Sequence, residues 1–194
     1  MRNWSIILLV FIVVLSCQER AEDSQNSQLS EVVDVISNTK LVFAPDGRVT
    51  IFKIEAESEG SHVVLKGKTD LPEAKEVLLD SLIGRGVDVV DSIEVLPSVK
   101  LEGKTRGVVN NSVANIRSAP RHSGELATQA LLGMPLKVLD QEGEWYLVQT
   151  PDDYISWIDH GGLVIMDDQA FSEWQELPKL IYRKTVGYAY KNTD

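Results

Sequence analysis

From Leu29 the apolar residues of this chain fall into repeating patterns, and the pattern changes character near residue 98. Leu29, Val32, Val33, Ile36, Lys40 and Phe43 recur at helical spacing, which predicts a helix with Ser30 as its cap. Ala44-Pro-Asp-Gly47 ends it in a turn. Val49 to Glu57 alternates and reads as a strand, Glu59-Gly-Ser61 as a turn, and Val63 to Lys68 as a second strand. Asp70-Leu-Pro-Glu73 has the form of a capping box with Pro just inside a helix start. Ala74, Val77, Leu78, Leu82 and Ile83 form that helix's stripe, Gly84 and Gly86 end it, and Val87 to Leu96 is a third strand. The order α-β-β-α-β over residues 29–97 predicts an α+β module.

Residues 98–106 are charged and contain Gly, and read as a linker. Between 107 and 166 helical spacing disappears. Short strand patterns, broken by Gly, Pro, Asn or Asp, follow one another at ~8–12 residues per turn signal, which predicts a small all-β barrel or sandwich. In the remainder, 167–194, Ala170 to Trp174 suggests a turn or two of helix, and Leu180 to Lys191 reads as two strands about Thr185-Val-Gly-Tyr188. Two readings of this ending stand open: the first strands of a second β module, or a strand that pairs back onto the first.

Four pieces of the β region occur in a recognisable order: Asn115-Ile-Arg-Ser-x-Pro120, Gly133-Met-Pro-Leu136, Gly143-Glu-Trp-Tyr-Leu-Val148 and Ile155-Ser-Trp-Ile158. As a set, over about 60 residues, they resemble the bacterial SH3 (SH3b) domains, and the resemblance implies an SH3-like barrel. Thr185 to Asp194 can be laid over Ser112 to Arg121, as a second SH3b copy would require. Val64-Leu-Lys-Gly-Lys-Thr-x-Leu-Pro-Glu-Ala74 and Gly86-Val-x-Val-Val-Asp-Ser-Ile93 are similar to BON domains, small α+β modules of the bacterial envelope.

The N-terminus belongs to neither module. Ser5 to Leu15 is nearly all apolar, too short for a bilayer but suited to a signal-peptide core. It runs into Val14-Leu15-Ser16-Cys17, which resembles a lipobox. The resemblance implies a signal peptide over 1–16, cleavage before Cys17, acylation of its thiol (palmitate among the chains), and a lipid-anchored envelope protein facing periplasm or exterior. Gln18 after the cysteine favours the outer membrane. Residues 17–28, polar and acidic, read as a flexible tether.

Charge and chemistry narrow the function. Nineteen basic against 29 acidic residues give a net charge of −10 with no basic face, which argues against nucleic acid. Cys17 is the only thiol, so a Cys-His nucleophile is absent. His62, His122 and His160 share no metal-ligand spacing, and there is no Gly-x-Ser-x-Gly elbow or phosphate-binding glycine loop. No metal, cofactor or catalytic residue is expected.

The order of lipobox, α+β module and SH3b module resembles the N-terminal, non-catalytic region of NlpC-type cell-wall peptidases. It implies a non-enzymatic envelope lipoprotein that binds peptidoglycan, its stem peptides or a wall-associated partner. A purely protein-binding adaptor is the alternative. The candidate ligand-binding residues are Tyr154, Trp157, Trp145, Arg117, Arg121 and His122, because aromatic faces suit sugars and Arg suits carboxylates. Alternation turns either Trp145 or Tyr146 inward. Metabolic labelling with an alkynyl palmitate should mark the wild-type protein in a bacterial host and leave Cys17→Ser unmarked; equal labelling of both would sink the anchor.

Overall fold

A computed structural model describes residues 27–60 and 62–180. Helix α1 covers residues 27–43. Strands β1 (Phe52–Glu59) and β2 (His62–Thr69), helix α2 (Pro72–Ile83) and strand β3 (Val89–Val95) complete the first unit in the order α-β-β-α-β. Its sheet runs β1-β2-β3; β1 pairs antiparallel with β2, and α2 is the crossover that lets β3 run parallel to β2.

Both helices share one core with this sheet. Val32, Val35 and Ile36 of α1 and Ala74, Leu78 and Leu82 of α2 pack with Phe52, Ile54, Val63, Leu65 and Ile93. Each fully buried leucine there contributes about 1.5–3 kcal/mol. The helical stripes are rotated from the expected ones: Val33, Val77 and Ile83 are exposed, whereas Val35 is buried. The sequence offered more apolar positions per helix than a single sheet face can cover.

Two expected caps are corrected. Helix α1 already runs from residue 27, so Ser30 lies within it. Helix α2 is capped at Leu71 with no side-chain hydrogen bond. Asp70 instead accepts from the backbone N–H of Ile51 at 2.6 Å and fastens the chain entering β1.

The second unit is a seven-stranded antiparallel sheet ordered β10-β4-β7-β8-β9-β5-β6. Its strands are β4 (Arg106–Val109), β5 (Val113–Arg117), β6 (Leu126–Leu131), β7 (Pro135–Glu142), β8 (Trp145–Gln149), β9 (Ile155–Asp159) and β10 (Leu163–Met166). One face encloses Val109, Ile116, Val138, Val148, Ile158 and Leu163.

The stretch 98–106, expected as a linker, is folded onto this unit. The Ser98 N–H donates to the Leu139 carbonyl at 2.8 Å, and a 3₁₀ turn, Val99–Leu101, inserts Leu101 into the β core. Its Lys and Glu suggested solvent; the one buried leucine decides its position.

Helix α3 (Asp168–Glu176) follows β10, longer than the turn or two expected. Asp167 caps it, accepting from the Ala170 N–H at 2.8 Å, and Asp168 binds Arg106 at 2.6 Å. Apart from Leu180, the two strands expected over Leu180 to Lys191, and with them the suggested second copy, lie outside the described residues, as does Cys17. Among the described residues no helix is long and apolar enough to cross a membrane.

Gly67 shows how closely the first sheet is built. It faces Ile54 across the β1–β2 ladder with φ of +133°, and a β-carbon there would stand 1.9 Å from the Lys53 carbonyl oxygen. Gly67→Ala should therefore cost about 2–4 kcal/mol in urea unfolding, because backbone and not a side chain must yield. Gly47→Ala, where a β-carbon meets nothing within 4 Å, should stay within about 0.5 kcal/mol of wild type.

Candidate ligand-binding cleft

The two units meet through an irregularity in β7. Val138 pairs with Val148 and Asp140 with Leu147, so Leu139 is an extra residue, a β-bulge. Alternation carries Leu136 and Val138 inward and Leu139 outward, and without the bulge it would turn Asp140 inward. The bulge keeps Asp140 beside Leu139 on the outer face, where Leu139 and Ile155 pack against Ile51 and Leu96 of the first unit, while Val138 stays in the β core.

Polar contacts frame this apolar patch. The Ile155 N–H donates to the Arg48 carbonyl at 2.7 Å, and the Ser98 N–H to that of Leu139. Lys68 of β2 reaches across to Asp140, whose side chain is only 7% exposed, and holds Glu94 of β3 at 3.1 Å. Asp140 also accepts from the Gln141 N–H at 2.9 Å. Burial works against the charge of Lys68, but its hydrogen bonds to Asp140 and Glu94 outweigh that and raise its pKa. A hydrogen bond from Ser98 and then the bond from Lys68 hold Glu94 below its ordinary value, against its own burial.

Beside the patch the units part, leaving a cleft of about 740 Å³. This lies within the ~300–1,000 Å³ usual for small-ligand sites. The β wall of the cleft is a consequence of register. Directly opposed residues share a face, so Asp140, Leu147, Trp157 and Arg117 stand in one row across β7, β8, β9 and β5. Leu147 and Trp157 line the cleft from this row, and Tyr154 lines it from the turn before β9. On the other wall Arg48 forks onto Asp46 and lies 5.9 Å from the centre of the Tyr154 ring. The side-chain hydrogen bond from Arg48 lowers the Asp46 pKa to about 2.

The six sequence-predicted residues divide. Tyr154 and Trp157 share the cleft. Arg117 donates through Nη1 to the Gly124 carbonyl at 2.8 Å, which ties down the loop between β5 and β6. Tyr146 packs against the β core, so the aromatic that turns inward is Tyr146; Trp145 is buried on the outer face. There the His122 ring meets it edge-on, 5.1 Å between centres. Asp159 lies 4.0 Å from His122 and 3.8 Å from His160. Arg121 is exposed on the same loop. Tyr154 and Asp159 stand at the two ends of β9, about 16 Å apart, so the candidate His122, beside Asp159, does not join Tyr154 in the cleft.

Sequence reasoning missed Lys68, Leu139 and Asp140. One signal was present: Val138-Leu139-Asp140 breaks the period of two inside a strand, as a bulge must. Among the described residues no group of three or more His, Cys, Asp or Glu side chains converges as metal ligands.

Residues 116–163 match the family model of the bacterial dipeptidyl-peptidase SH3 domain, from within β5 to the start of β10. The β unit is thus of the bacterial SH3 type. No curated protein matches the chain.

Lys68→Gln would leave the nearly buried Asp140 carboxylate without its ammonium, and should cost about 1–3 kcal/mol in urea unfolding. The difference from wild type should depend on pH at both ends. A carboxylate lowered in the fold stabilises above its ordinary value and loses that contribution as pH falls, so the difference shrinks below about pH 4.5. A raised lysine stabilises below its ordinary value, so it shrinks again above about pH 10.5. Between these limits the difference should be flat.

Proposed function

We propose that this chain is a non-catalytic cell-envelope lipoprotein whose SH3-type unit binds peptidoglycan or a wall-associated partner, as the targeting region of a cell-wall hydrolase would. The observation that carries the reading is the placement of Trp157 and Tyr154. Both belong to the SH3-matched stretch, and both line the cleft instead of filling the core. A flat aromatic wall suits sugar rings and peptide backbone. The lipobox-like Val14-Leu15-Ser16-Cys17 supports anchoring by acyl chains, which keeps such a surface near the wall.

A second reading, an envelope adaptor that binds a protein and no wall ligand, draws on a different feature. Strand β6 is an edge of its sheet, and Leu126 to Leu132 carries no charge while Leu126, Leu131 and Leu132 are exposed. Such an edge suits strand addition.

Co-sedimentation with purified peptidoglycan tests the first reading. Wild-type protein should pellet with the wall, and Trp157→Ala or Tyr154→Ala should weaken binding about tenfold, as removal of a contact aromatic does. Unchanged circular dichroism and thermal melting would show that each variant still folds. Wild-type protein that stays in the supernatant at low and high salt alike would overturn the wall reading.

A further inference from the structure

The cleft is electrically divided between its walls. Lys40, from α1, and Lys53, from β1, line the side built by the first unit. Glu125, just before β6, and Glu142, at the end of β7, line the side built by the SH3-type unit. All four are exposed, and none has an ion pair or side-chain hydrogen bond among the described residues. The neighbouring charges behave otherwise: Arg48 is taken by Asp46, and Lys68 by Asp140 and Glu94. Two ammonium groups thus line one wall and two carboxylates the other, with no ion pair between them. Tyr154 and Trp157 line the same cleft.

We propose that this junction is a composite site for a short zwitterionic peptide. Its carboxylates meet Lys40 and Lys53, its ammonium group meets Glu125 and Glu142, and its body lies on Tyr154 and Trp157. The proposal deepens the binding role given above and rests on it in part. Opposed walls of opposite sign select a ligand carrying both charges and fix its direction. A purely anionic ligand would satisfy one wall and be repelled by the other, and a neutral sugar would satisfy neither. The volume admits a peptide of a few residues. The site needs both units, because each supplies one sign of charge.

The test uses the full chain and the tripeptide Lys-Ala-Glu with free termini, followed by two-dimensional NMR. Shifts should concentrate at the Trp157 indole and at Lys53, with saturation in the millimolar range. Acetylating both amines of the peptide, or amidating its carboxyls, should each weaken binding about tenfold, the loss of one good charge-assisted contact. Lys40→Gln/Lys53→Gln should weaken the free tripeptide by a similar factor and leave the acid-amidated form unaffected. Both residues are exposed, so the variant should fold as wild type. Equal binding of free and capped peptides, or no shift at Trp157 at saturating concentration, would overturn the proposal. Peptidoglycan sedimentation separates the two ideas: tripeptide binding without sedimentation upholds the cleft and removes the wall as its source. Sedimentation that survives in the double-glutamine variant, with no tripeptide binding in wild type, upholds the wall and overturns the cleft.

Discussion

The position of Leu139 decides most of what this molecule can do. Alternation already gives β7 two faces, with Val138 inward and Leu139 outward. The bulge adds Asp140 to the outer face: Val138 goes to the interior of the SH3-type unit, Leu139 to the seam with Ile51, Leu96 and Ile155, and Asp140 stands beside it opposite Leu147. The apolar seam supplies the attraction, while Lys68, bridging Asp140 and Glu94, fixes direction, because a buried carboxylate tolerates few arrangements of its partner. With the seam in place, the row that contains Trp157 is only partly covered. What remains uncovered becomes one wall of the cleft.

The element order of the first unit and the all-strand character of the second were legible from spacing. The α-β-β-α-β order and the short β segments follow from periods of 3.6 and 2, which survive any detail of packing. The helix faces were less legible. Val33 and Val35 are equivalent to the eye, and only the orientation of α1 over Phe52 and Ile54 separates them. Asp70 misled for a related reason: an acid three residues before a glutamate is a good cap, yet the N–H of Ile51, nineteen residues earlier, competes for it and wins.

The site was read least well, for a physical reason. Tyr154 and Trp157 could be singled out because aromatic residues in an SH3-like pattern have few roles. Their partners could not, because Lys40 and Lys53 come from a different unit and nothing local marks a surface lysine as facing a cleft. His122 and Arg121 were candidates alongside Tyr154 by side-chain type alone. The length of β9 keeps them apart, and Arg117, a candidate for a ligand's carboxylate, holds a backbone carbonyl of its own loop.

Strand β4 carries a practical consequence. It lies between β10 and β7 in the sheet, yet its residues, Arg106–Val109, precede the stretch that matches the SH3 family. A fragment trimmed to that stretch would strip the ladder from one side of β7, remove Val109 and Leu101 from the interior, and uncover Leu139 on the other side. Autonomy of this β unit therefore begins well upstream of where its sequence signature does.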